Sequence, residues 1–213
     1  MPDALIWGAS GGIGAALVVA LKSDGWRVFA AARDELKIPA EADATFTFNA
    51  ANPDDTASVI SLCAQQTDGF DFVAYTAGGL VASPLDKLTA TDWGAIFDAN
   101  VTGAFVAAQA SLPLMHKGAH MMIIGAYVEK ITLPRMGAYA AAKAALEPMV
   151  RVLGRENRKM KFSLVRPPAV DTPFWENVPF KLPDYAIQPQ AVASAMIAHF
   201  KAGESGTLDI ESS

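Results

Sequence analysis

Short apolar runs alternate with longer stretches of helical spacing from one end of the chain to the other. The runs ALIW (4–7), RVFAA (27–31), TFTF (45–48), FDFVAY (70–75), HMMIIG (120–125), FSLV (162–165) and TLDI (207–210) have the length and composition of strands. Between them, 12–25, 56–66, 91–115, 137–157 and 189–203 read as helices. Strands apolar throughout, separated by helices, predict a parallel sheet covered on both faces. Right-handed crossovers then give a doubly wound α/β sandwich of about seven strands. No repeat or linker divides the chain, so a single domain over 1–213 is expected. The segment 171–187, DTPFWENVPFKLPDYAI, holds three prolines and four aromatics and fits neither period. It is expected to be a surface loop.

Two places carry candidate chemistry. ALIWGASGGIGAALVVAL puts Gly8, Gly12 and Gly14 between the first strand and the first helix. Missing side chains let the backbone turn sharply and approach a pyrophosphate, while the helix N-terminus offers free N–H groups. A tight strand-to-helix turn would use the same glycines. Ser10 adds a hydroxyl, and Ile13 starts the helix beside the loop. Further on, GAYAAAKAAL sets Tyr139 and Lys143 four residues apart on one face of an alanine-rich helix. Either both tips reach water, or the ammonium lowers the phenol's pKa toward working pH and makes Tyr139 a general acid or base. Asn100, in the otherwise apolar IFDANVTGAFVAAQ, needs a buried partner or a solvated face.

Composition narrows the classes. Apolar residues make up 52% and charged residues 18%, which suits a buried core and excludes a disordered chain. A net charge of −5 with no basic run argues against a nucleic-acid partner. No apolar stretch is long enough to span a bilayer, and MPDALIWGASGG lacks the basic region of a signal peptide. A cytoplasmic protein with no membrane partner is expected. The single cysteine, Cys63, excludes an internal disulfide and reads as an inert core thiol. His116, His120 and His199 show no metal spacing, no Ser/His/Asp set emerges, and bland core or surface roles are expected for all three.

The spacing GxxxGxG at Gly8, Gly12 and Gly14, with YxxxK at Tyr139 and Lys143, resembles the short-chain dehydrogenase/reductase family, over almost the whole chain. The resemblance implies a Rossmann-type fold and a nicotinamide dinucleotide. Ala32 stands where NAD-using members carry an acid, and Arg33 follows. A guanidinium holds a 2′-phosphate, so NADP(H) is expected over NAD(H), unless Arg33 merely pairs with Asp34. Asn49 takes the place of an aspartate on the adenine. In YTAGG, Ala77 and Gly78 match the family's Asn-Asn-Ala-Gly turn, with Thr76 as the bracing residue. Val170 and Thr172 fall where the nicotinamide carboxamide is clasped, and Pro168 replaces a glycine there. Tyr139 is implied as general acid/base, Lys143 as its partner on the ribose, and Asn100 as holder of a relay water.

Ala126 stands where the family has a serine that hydrogen-bonds the substrate oxygen. Three readings follow: an activated substrate, as for the family's dihydropteridine reductases, which also lack it; a substitute hydroxyl from Tyr127, though strand alternation points that residue to the other face; or a catalytically impaired nucleotide-binding regulatory or assembly protein. Phe174, Trp175, Phe180 and Tyr185 are either a lid over an apolar substrate or a patch covered by a partner subunit. Pairing of the helices bearing Asn100 and Tyr139 into a homodimer or homotetramer is implied by the resemblance.

Overall fold

The structure is a computed structural model and describes residues 1–212. Its elements in order are β1 (Asp3–Trp7), α1 (Gly12–Ser23), β2 (Arg27–Ala32), β3 (Ala44–Thr47), α2 (Pro53–Ala64), β4 (Phe70–Tyr75) and α3 (Ala90–Phe97). A π-turn (Asp98–Thr102) then leads into α4 (Gly103–Ser111), β5 (Met115–Ile124), the four-residue α5 (Val128–Ile131), α6 (Gly137–Glu156), β6 (Lys161–Arg166), α7 (Pro189–Ala202) and β7 (Gly206–Asp209). The strands form one seven-stranded sheet in the order β3-β2-β1-β4-β5-β6-β7, and each neighbouring pair is parallel. The doubly wound sheet read from the sequence is therefore present.

Alternation along β1 shows why such strands are apolar throughout. Ala4 and Ile6 face one core, with Leu17 and Leu21 of α1 and Val192 and Met196 of α7. Leu5 and Trp7 face the other, with Val59 and Cys63 of α2, Ala104 and Ala107 of α4, and Leu146 of α6. Each fully buried side chain of this kind contributes about 1.5–3 kcal/mol. Cys63 is sealed in the second core, and burial pushes its thiol up to about 12, so it is the inert thiol expected.

Two expectations need correction. The continuous helix over 91–115 is interrupted by the π-turn and ends in a 3-10 turn at Leu112–Leu114, and Met115 already pairs with Phe70 as the start of β5. The polar MHKGAH stretch hid that start, because the register slips there from Phe70↔Met115 to Phe72↔His120. Within 171–187 the chain forms a short 3-10 helix, Pro173–Asn177, and the rest is irregular.

The histidines are the second correction. His116 is exposed and bonds Asp71 at 3.1 Å. His120 and His199 are buried as expected, yet a Ser/His set does exist. His120 Nε2 lies 2.8 Å from Ser163 Oγ, which lies 3.0 Å from His199 Nε2, and His199 Nδ1 lies 3.2 Å from Glu204. The carboxylate can only accept, so His199 carries its proton on Nδ1. Ser163 then donates to His199, His120 donates to Ser163, and His120 Nδ1 is left as a bare lone pair. Ser163 is fully buried, so this row is structural, and it joins β5, β6 and α7, which are far apart in sequence.

Burial holds His120 neutral and draws its pKa down to about 3. The unfolded chain therefore binds a proton that the fold refuses between about pH 6.5 and that value. Stability is complete above the unfolded pKa and falls as pH drops through this window, by about 2 kcal/mol at pH 5. Urea midpoints at pH 7.5 and pH 5 should show that loss, and His120→Phe should reduce it by a similar amount.

Candidate active site

At the C-terminal ends of β1 and β4 the chain passes to opposite faces of the sheet, which opens a crevice there. Gly8 closes β1 at φ +89°, and its N–H donates to Ala31 O at 2.8 Å. A Cβ at Gly8 would stand 2.4 Å from Ala77 N, so the two loops touch through backbone. Thr76 braces that contact, its hydroxyl 2.9 Å from Trp7 O and 3.1 Å from Gly8 O. Gly14 is needed for the same junction: its Cβ would fall 2.4 Å from Gly8 O and 2.6 Å from the Thr76 hydroxyl. Gly12 packs against Thr172, whose Cγ2 would lie 2.3 Å from a Cβ there. No side chain caps α1 and no acid sits in its first turn, so its N-terminal amides and dipole remain free for an anion.

These loops form one wall of a cavity of about 820 Å³, within the range of small-molecule and cofactor sites. Gly8, Ser10, Gly12, Ile13, Arg33, Asn49, Ala77, Gly78, Ala126, Tyr127, Tyr139, Lys143, Val170, Thr172, Phe174 and Trp175 all line it. Gly14 and Asn100 stand behind the lining. Arg33 is exposed at the rim and makes no ion pair among the described residues, while Asp34 pairs with Lys37 at 3.2 Å. The alternative pairing of Arg33 with Asp34 is thus absent. Exposed Asn49 turns its Oδ1 toward Ala51 N at 3.4 Å.

On α6, Lys143 is buried and Tyr139 is half-buried, and both line the cavity. Lys143 is 4% exposed and its Nζ donates to Ile124 O at 2.8 Å, lying 5.7 Å from the centre of the Tyr139 ring. Burial draws the ammonium down to about 8 and pushes the Tyr139 phenol above its usual range. The expected lowering of the phenol's pKa is therefore reversed. Desolvation outweighs the ammonium, which is committed to a carbonyl rather than to the hydroxyl. The Tyr139 ring leans on Phe174 at 5.5 Å.

Asn100 sits on the π-turn, where the Gly103 amide reaches back five residues to Asp98 O. It is 1% exposed; its Nδ2 donates to Gly79 O at 2.7 Å and Ile96 O at 2.8 Å, and its Oδ1 has no partner among the described residues. That oxygen and Lys143 Nζ lie 2.9 and 3.8 Å from the point where a Cβ of Gly78 would stand. Glycine at 78 keeps the space between them open.

Tyr127 does not stand in for a serine. Its hydroxyl donates to Ile210 O at 3.3 Å, and Lys130 and Arg166 lie over its ring at 4.5 and 5.1 Å. Tyr127 lies beyond the end of β5, so the expected strand alternation does not apply to it. Pro167 and Pro168 line the cavity, and the loop beyond them bridges Val170 to Ile187. Sequence reasoning missed Lys130, Met136 and Lys181 in the lining, since nothing in their spacing marks them, and it missed Tyr75, whose hydroxyl reaches Ala99 O at 2.6 Å.

Gly8→Ala should destabilise the fold by about 2 kcal/mol or more, through both strain and overlap. Gly11→Ala should be tolerated, because its nearest atom would be 3.5 Å away. Denaturant unfolding of the pair checks this.

A model of the short chain dehydrogenase family matches residues 3–181. An uncharacterized oxidoreductase of Staphylococcus aureus strain USA300 is 27% identical over 180 residues, covering 79% of this chain and 78% of that protein. The cyclic-di-GMP-binding biofilm dispersal mediator protein of Escherichia coli K12 is 32% identical over 177 residues, covering 79% of this chain and 73% of that one. An alcohol dehydrogenase from the archaeon Thermococcus sibiricus, solved with 5-hydroxy-NADP, superposes with a TM-score of 0.91 at 24% identity, covering 100% of this chain and 97% of that one.

Proposed function

Because the chain belongs to the short-chain dehydrogenase family, we propose that it is an NADP(H)-dependent oxidoreductase acting on a small carbonyl or similarly polarised substrate, with Tyr139 as general acid/base. The observation that carries this is the meeting of Tyr139 and Lys143, backed by Asn100, on the wall of one cavity whose other wall is the uncapped N-terminus of α1.

The residues present fit a dinucleotide. The backbone around Gly8–Ile13 and the Ser10 hydroxyl suit a pyrophosphate, and the unpaired guanidinium of Arg33 suits a 2′-phosphate. Asn49 offers its amide to adenine, and Val170 and Thr172 bound the nicotinamide end. When bound, the nicotinamide supplies or accepts the hydride.

Everything else falls to this chain. Tyr139 gives its proton to the substrate oxygen in reduction, and its raised pKa keeps that proton in place until it is needed. Lys143 supplies positive charge beside the ring and donors for the ribose. Asn100 holds its free oxygen toward the Lys143 ammonium, a path for reprotonation through water. Phe174 and Trp175 within 171–187 cover an apolar substrate and exclude water. Half-exposed Trp93 and Phe105 on α3 and α4, with Val152 on α6, suit a homodimer or homotetramer paired through those helices.

A second reading rests on Ala126, which offers no donor where the family's serine would stand. On it the chain is a nucleotide-binding regulatory protein without turnover, and the likeness to the cyclic-di-GMP-binding relative favours the same class. NADPH oxidation over a panel of carbonyls and quinonoid pterins separates the two.

Tyr139→Phe should lower kcat by roughly 100-fold or more while leaving the Kd for NADPH within about twofold. Equal turnover by this variant would end the acid/base assignment. Arg33→Ala should weaken NADPH by roughly tenfold or more and leave NADH unchanged, as read by fluorescence titration. Equal losses for both cofactors would remove the 2′-phosphate from the argument.

A further inference from the structure

The π-turn that carries Asn100 is held from below by a residue outside the catalytic set. Tyr75 ends β4 with 1% exposure, and its hydroxyl donates to Ala99 O, one residue before Asn100, at 2.6 Å. Gly103 closes the same turn, and a Cβ there would lie 2.3 Å from the Tyr75 hydroxyl and 2.8 Å from Ala50 Cβ. Phenol and glycine are thus complementary: the hydroxyl occupies the space the glycine leaves. A five-residue turn is less favourable than an α-turn and persists only where its neighbours require it. Here the neighbours are that hydroxyl on one side and Asn100's own bonds to Gly79 O and Ile96 O on the other.

We propose that Tyr75 is a positioning residue for Asn100: its hydrogen bond to Ala99 O, seated against Gly103, keeps the π-turn in the one arrangement that holds Asn100 Oδ1 in the space beside Gly78 that the Lys143 ammonium also borders. This rests on the reading that Asn100 and Lys143 act together. Without the phenolic hydroxyl the turn reverts toward an α-turn, which rotates Asn100 about its helix axis. The carbonyl oxygen then leaves the space beside Gly78, and the buried ammonium loses the amide dipole that bordered the same space. Tyr75 is buried and does not line the cavity, so its effect on the site runs through Asn100.

The test is an NMR titration of the Lys143 side chain in cofactor-free protein, its signal assigned with Lys143→Arg. Asn100→Ala should lower the titration midpoint by about half a unit or more, since it removes the negative end of an amide dipole from the space that the ammonium borders. Tyr75→Phe should lower it by a similar amount, and the double variant no further, because the two residues act in series. Gly103→Ala, which displaces the hydroxyl without removing it, should reproduce the shift. An unmoved midpoint in Tyr75→Phe, or shifts that add in the double variant, would overturn the proposal. The titration needs no turnover, so failure of the enzymatic reading shows separately as absent NADPH oxidation in the wild-type protein. Where oxidation is present, kcat in Tyr75→Phe should fall with its pH profile displaced, while KM for NADPH stays within about twofold.

Discussion

Two loop backbones pressed together at the centre of the sheet hold the rest in place. Gly8 and Ala77 approach so closely that no side chain fits between them, and Thr76 ties the junction to Trp7 O and Gly8 O. From this point α1 leaves with its N-terminus open, and the turn at Gly78 leaves with room beside Lys143. A crevice between β1 and β4 follows from strand order alone. A crevice with an uncapped helix start on one side and a buried amine on the other requires the glycines. Thr76, which stands where the family pattern has an asparagine, does this bracing with a single hydroxyl.

The polar groups behind the cavity are expensive, and their arrangement shows how the expense is limited. Lys143 is almost fully buried, yet its ammonium has Ile124 O as a partner. Asn100 spends both amide hydrogens on carbonyls and leaves only its oxygen open. Burying an unpaired polar atom costs roughly 1–3 kcal/mol, and a fold carries such a cost where a ligand or a solvent molecule answers it. The row His120–Ser163–His199–Glu204 bears the same kind of charge at the other end of the sheet. Its serine is fully buried, which separates it from a hydrolytic triad despite the likeness in distances.

The sheet, the order of its elements and most of the cavity lining were legible because each is written in local pattern. Fully apolar runs mark strands buried on two faces, and Gly8, Gly12 and Gly14 mark a backbone junction. What was not legible arises between segments distant in sequence. The π-turn depends on Tyr75 from another element, so the apolar period of 91–111 runs through it without a mark. The start of β5 at Met115 is fixed by pairing with Phe70, against a polar local sequence. The proton affinity of Tyr139 reversed direction for the same reason. Spacing placed an ammonium one turn away, but only the packed structure reveals that Ile124 O has claimed it.

That reversal bears on the missing serine. With Ala126 unable to donate and the Tyr127 hydroxyl turned to Ile210 O, the proposed reading leaves the Tyr139 phenol to meet the substrate oxygen from this wall. A phenol held protonated by burial carries the proton that reduction needs, although the same shift makes it a weaker acid than a free phenol. On the proposed reading, this favours reduction over alcohol oxidation in neutral solution, since oxidation requires the phenolate before hydride can leave. It also favours substrates whose oxygen or nitrogen develops little charge, because one donor must stabilise what two share elsewhere in the family. Ligation of the Lys143 ammonium by ribose in place of Ile124 O would move positive charge toward the ring and ease that constraint. Cofactor binding, and not the folded chain alone, then sets the phenol's working pKa.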